Sequence, residues 1–239
     1  MAMESTTSGL PYYRADPTST PRGAVVVIHE IWGLNGQIKS VADRLAAEGY
    51  AAVAPDLFSS VGLTPEVGAE LERLMHGTEE ERHRAQPLLR EKTTPIRSPE
   101  FAEQALAHLS SLVDDLAGTT VTVTGFCFGG TYAFALAAAD RRIAAAAPFY
   151  GSAPEDADLA AIAGPVLAFY GADDERITGA LPDVERAMRR SGVDFEAVVY
   201  ENTGHAFFND TNPSAFRAGP AADAWSRLLD FFGRATAQD

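Results

Sequence analysis

The chain has 239 residues, 46% of them hydrophobic, and a formal net charge of −14 from 19 basic and 33 acidic side chains. That apolar content supports a sizeable core and excludes a wholly disordered chain. The acidity excludes nucleic acid and anionic membrane surfaces as partners of the molecule as a whole.

The single cysteine permits no intrachain disulfide, which fits a reducing compartment. "MAMESTTSGL" lacks the basic and apolar regions of a signal peptide. No run approaches the roughly 20 apolar residues of a membrane span. These features lead to the expectation of a soluble cytoplasmic protein, a monomer or small homo-oligomer.

In chain order, residues 1–9 read as a loose tail, and "RADPTSTPRG" (Arg14–Gly23) as turn chemistry. "AVVVIHE" is a short β-branched run of the kind buried on both faces of a parallel sheet. "GQIKSVADRLAAEGY" has helical spacing at Ile38, Val41 and Leu45 and a glycine stop at Gly49. "AAVAPDLF" is strand-like again. The alternation continues through "TVTVTG", "IAAAAPFYG", "PVLAFYGADD" and "FEAVVYENTGH", with helices expected at Phe128–Asp140, Ala180–Ser191 and Pro213–Arg234. Strands alternating with helices predict a mostly parallel, doubly wound α/β sheet covered on both faces. Between these elements lies a helical stretch of about residues 59–118. It reads either as ordinary crossover helices or as an excursion bordering a site.

Cys127 stands in Gly125-Phe126-Cys127-Phe128-Gly129-Gly130, after a strand and before a helix. This is the G-x-nucleophile-x-G pattern of a sharp strand-to-helix turn. Glycines there remove Cβ clashes, and the following helix points N–H groups at the thiol. A nucleophile in this arrangement needs an acid and then a histidine, each just past a strand. "GADD" supplies Asp174, with Asp173 the weaker candidate, and "NTGH" supplies His205. His76, His83 and His108 are expected on the surface of the helical stretch. No Cys/His cluster has zinc spacing, so neither metal nor cofactor is expected. Glu30, at the end of a buried strand, needs partners to offset its burial. The adjacent loop would supply an oxyanion N–H from Ile31, facing that of Phe128. Trp32 and Phe207 read either as core or as the lining of an apolar pocket.

"HEIWGLN", "GYAAVAPDLF", "GFCFGG", "FYGADD" and "YENTGHAFFND", in that order, resemble the dienelactone hydrolase family. The resemblance implies a single α/β-hydrolase domain over residues 1–239 and a Cys127–His205–Asp174 triad. It also implies that Glu30 holds the resting thiol and then takes its proton when substrate, a small-molecule ester or lactone, arrives. Family members hold the substrate carboxylate with two arginines. One position, four residues after the histidine, is Asn209 here; the other falls on Arg84 in "EEERHRAQ". An asparagine offers no charge, so a less acidic ester or lactone is expected, with Asn209→Arg restoring preference for dienelactone. The alternatives are a thioesterase or a catalytically silent binding protein on the same fold.

Overall fold

The computed structural model describes residues 2–153 and 159–237. Eight strands form one sheet: β1 (Ala2–Ser5), β2 (Pro11–Ala15), β3 (Ala24–Ile28), β4 (Ala51–Pro55), β5 (Val121–Phe126), β6 (Ile143–Phe149), β7 (Val166–Gly171) and β8 (Phe195–Tyr200). Their spatial order is β1-β2-β4-β3-β5-β6-β7-β8. The first two strands are antiparallel to their neighbours and the other pairings are parallel. With helices on both faces, this is the α/β-hydrolase fold. Strand β3 shows why it forms here. Its five residues are fully buried, with Val25 and Val27 packing on one face and Ala24, Val26 and Ile28 on the other. Each such valine contributes about 1.5 kcal/mol or more through burial.

Helices α1 (Gly36–Ala47) and α8 (Ala218–Thr236) cover one face. The long helical stretch contains α2 (Pro65–Met75), α3 (Glu79–Thr93) and α4 (Pro99–Asp115), started by Thr64, Thr78 and Ser98 side chains that accept backbone N–H groups. Helices α4 and α5 (Phe128–Ala139) pack on the other face. Two short helices, α6 (Glu175–Thr178) and α7 (Leu181–Arg190), follow β7.

Two expectations require correction. The segment read as a loose tail contains β1, paired with β2 from Ala2 opposite Arg14 to Ser5 opposite Pro11. Every residue of β1 is exposed, so no apolar alternation marks it in the sequence. Pairing of β2 with β4, Arg14 opposite Val53 and Ala15 opposite Ala52, draws Arg14 and Ala15 into a strand rather than a turn. The last helix starts at Ala218, not Pro213, because residues 209–216 turn on themselves through Asn212 N–H to Asn209 O and Phe216 N–H to Asn212 O.

The register places the chemistry. Ile28 lies opposite Gly125, Phe126 opposite Phe149, and Gly171 opposite Tyr200. The residues just after these strand ends are Glu30, Cys127, Tyr150, Asp174 and His205, so all emerge at one edge of the sheet.

Candidate active site

Strand β5 passes into α5 through a single residue, Cys127, at φ 56° and ψ −113°. A side-chain-bearing residue in that region costs on the order of 1–3 kcal/mol. The turn is held by Cys127 N–H donating to Phe149 O at 3.0 Å and Cys127 O accepting from Thr131 N–H at 3.2 Å. A Cβ on Gly125 would collide with the Gly129 carbonyl, and one on Gly129 with that of Ile28. The glycines therefore let the helix start flush against the sheet.

The backbone N–H groups of Phe128 and Ile31 both face the Cys127 sulfur. Burial pushes the thiol up to about 12, with the nearby Glu30 carboxylate adding to the effect. The Phe128 and Ile31 amides and Arg176 act in the opposite direction. The resting sulfur is thus a protonated thiol seated where two amides converge.

His205 and Asp174 come together as the sequence predicts. The His205 Nδ1 lies 2.5 Å from Asp174 Oδ2. That contact sets Nδ1–H as donor and leaves Nε2 directed away from the acid. Asp174 is buried, whereas Asp173 is exposed. The Tyr150 ring meets the imidazole edge-on at 5.0 Å and fixes its plane.

Glu30 is 3% exposed. Its Oε1 accepts from the Tyr150 hydroxyl at 2.9 Å, and its Oε2 from Asn209 Nδ2 at 2.8 Å. Burial raises its carboxyl to about 7; the two hydrogen bonds oppose the rise, and the Glu72 carboxylate adds to it. Its oxygens are engaged by Tyr150 and Asn209 rather than by the thiol, so Glu30 acts on the resting sulfur through its charge. The neighbouring His29 has its Nδ1 2.7 Å from the Glu30 carbonyl, and its Nε2 accepts the Leu57 N–H at 3.3 Å. Burial lowers it to about 4, so this imidazole is a neutral tie between two loops.

A cavity of about 260 Å³ opens over the thiol, lined by Ile31, Ile96, Arg97, Cys127, Phe128, Thr131, Tyr150, Ser152, Arg176, Ile177 and His205. The expected substrate contacts are elsewhere. Phe207 is fully buried among Phe149, Tyr150 and Tyr200. Trp32 packs its ring on His76, 5.8 Å away, and its carbonyl lies against Gly68 of α2. Arg84 is exposed on α3. Asn209 is 1% exposed and bonded to two carboxyl groups, Glu30 and Glu72. It fails as a substrate contact because its amide is consumed by acids beneath the cavity.

The sequence reading missed Arg97, Arg176 and Glu72. Arg176 stands two residues past Asp174, just beyond the end of β7 at the sheet edge, which was a usable signal. Arg97 sits in the break "TPIRSP" between α3 and α4, where the two prolines mark a loop. Glu72 carried only its place beside Leu71 and four residues after Gly68, on the buried side of α2. Among the described residues, no group of three or more His, Cys, Asp or Glu is placed to hold a metal. No helix among them is long and apolar enough to cross a membrane.

Comparison with known proteins agrees with this architecture. A relative from Saccharolobus solfataricus, named "Putative carboxymethylenebutenolidase", is 34% identical, with 90% of each chain covered. An Escherichia coli K12 protein of the same name is 30% identical over 93% of this chain and 82% of its own length. A crystal structure titled "Putative Dienelactone Hydrolase" from Klebsiella pneumoniae superposes with a TM-score of 0.78 at 27% identity, covering both chains fully. The profile of the dienelactone hydrolase family matches residues 10–236. With that match spanning nearly the whole chain and the expected turn, acid and histidine at one sheet edge, this protein is a hydrolase of the dienelactone hydrolase family.

Proposed function

We propose that the protein hydrolyses a carboxylic ester or lactone through an acyl-thioester on Cys127. The observation that carries this reading is the convergence on one cavity of a strained cysteine, two backbone amides at its sulfur and an imidazole held by a buried aspartate. In acylation the thiol proton passes to Glu30 and Sγ attacks the acyl carbon. The oxyanion sits between the Ile31 and Phe128 N–H groups. The carbon–oxygen bond breaks, and His205, as imidazolium oriented by Asp174, protonates the leaving oxygen. In deacylation neutral His205 takes a proton from water, and the hydroxide attacks the thioester. The thiolate leaves and recovers its proton from Glu30. Keeping the thiol protonated until a carboxylate is free to deprotonate it limits oxidation of the resting enzyme.

The expectation of a less acidic substrate rested on Asn209 facing it. With Asn209 buried and Arg97 and Arg176 lining the cavity, the favoured substrate is an ester or lactone bearing an acidic substituent within their reach. Release of p-nitrophenol from p-nitrophenyl acetate, with mass spectrometry of the acylated protein, tests the nucleophile. Cys127→Ala is expected to lose about 10⁴-fold in kcat/KM or more and to carry no acyl group. Equal turnover by both chains would sink the assignment.

A further inference from the structure

Beneath the cavity lies a second carboxyl group that the hydrolytic scheme does not use. Glu72, 7% exposed, comes from α2 and meets Glu30 through a shared nitrogen. Asn209 Nδ2 donates to Glu30 Oε2 at 2.8 Å and to Glu72 Oε1 at 3.0 Å. The remaining partners are Tyr150 on Glu30, and Asn35 (2.6 Å) and Thr211 (2.9 Å) on Glu72. All are neutral. Two buried carboxylates bridged by neutral groups cannot both ionise cheaply, so such a pair holds a proton in common.

Proton counting places it. Thr211 Oγ1 is 2.9 Å from Glu72 Oε1 and 2.6 Å from Asn209 Oδ1. The hydroxyl owns one proton, so a separate linear hydrogen bond at each contact requires Glu72 to supply the other. The amide cannot supply it by turning over. Its nitrogen faces both acids, and its oxygen accepts the Thr211 N–H at 3.0 Å. A protonated Glu72 donates to Thr211, which donates to Asn209 Oδ1. The amide nitrogen is then free to donate to an ionised Glu30.

We propose that Glu72 is a positioning residue for Glu30: the two carboxyls, joined by Asn209, hold one proton, and Glu72 keeps it while Glu30 receives the proton of the thiol. The inference rests on Glu30 being the base of the proposed reaction. The other titratable groups facing Glu30 are Cys127 after β5, Tyr150 after β6 and His29 on its own strand end, with His205 packed on Tyr150. Glu72 is the one among them that both lies across a bridging amide from Glu30 and is itself an acid.

The test combines two readouts on the full chain. Infrared titration follows the C=O stretch of protonated carboxyls, and the acylation burst with p-nitrophenyl acetate is followed over the same pH range. Glu72→Gln, which mimics the protonated acid toward Thr211, is expected to lower the infrared midpoint by about one pH unit, because the carboxyl that loses its proton last is gone, and to leave the burst midpoint in place, because Glu30 then ionises beside a neutral side chain as before. A burst midpoint that moves with the infrared one overturns the placing of the proton on Glu72. An unchanged infrared midpoint overturns the shared proton, whatever happens to activity. Should Glu72→Gln fail to fold, Thr211→Val removes the acceptor for the Glu72 proton and is expected to lower the infrared midpoint as well; no shift there overturns the proposal equally. If Glu30→Gln leaves the acid limb of the burst unaltered, the base assignment fails, while the infrared shift still decides the pair.

Discussion

Asp174 and Glu30 are buried to nearly the same degree, 8% and 3% exposed, at the same edge of one sheet, yet the proposed reaction gives them opposite tasks. Asp174 faces an imidazole, a partner able to carry positive charge, which the proposed reaction needs held in one orientation. Glu30 faces a phenol, an amide and, beyond the amide, another acid. None of these neutralises it, so its burial raises its proton affinity. Burial alone therefore does not determine what a carboxyl does; the charge state open to its nearest partner does.

The largest effect that tests this contrast comes from the orienting side. Asp174→Asn preserves shape but removes the charge and permits the wrong imidazole tautomer. A loss of kcat on the order of 10²–10⁴ is expected, with little change in KM. A loss confined to KM would mean that Asp174 shapes the cavity rather than steering His205.

Stability against pH examines the other side. Glu30 has its folded value raised from 4.5 to about 7. The unfolded chain therefore loses this proton first, and the contribution of Glu30 to stability falls as pH rises from 4.5 to 7. His29 has its folded value lowered from 6.5 to about 4. The unfolded chain binds this proton first, so the contribution of His29 is lost as pH falls from 6.5 to 4. Each swing is of the order of 3 kcal/mol, and over the shared window they oppose each other. Glu30→Gln is expected to expose the histidine slope, with urea midpoints rising between pH 4 and 6.5 more steeply than in the native protein. His29→Gln should do the reverse, and parallel profiles for all three proteins would show that neither group is perturbed.

Much of this region was readable in advance. The β-branched run of β3, the glycine-flanked cysteine and the acid and histidine after β7 and β8 are local patterns, and local patterns survive translation into structure. Of the two adjacent acids, the structure buries Asp174 and exposes Asp173. What escaped was long-range. β1 has no buried face to advertise it. Asn209 reads as a lost arginine until α2 brings Glu72 within 3.0 Å of it from 137 positions away. Trp32 and Phe207 showed the right chemistry for a pocket, but aromatic character does not say which side of a loop faces solvent.

The smallest effect concerns the cavity mouth, where two arginines motivate the proposal of an acid-bearing substrate. Arg97 arrives from the turn between α3 and α4, and Arg176 from the start of α6, so the two guanidinium groups reach the thiol's cavity from different elements. Arg176 also bears on the sulfur electrostatically, lowering the thiol's affinity for its proton. The two substitutions should therefore separate. Arg97→Gln is expected to reduce kcat/KM for an acid-bearing lactone about 10- to 100-fold relative to a neutral ester of similar size, the magnitude of a lost charged hydrogen bond. It should leave the neutral ester unchanged. Arg176→Gln should lower both, because it weakens substrate binding and raises the cost of forming the thiolate. Equal losses on both substrates from Arg97→Gln would return the substrate to the neutral class and leave Arg97 a structural residue of the rim.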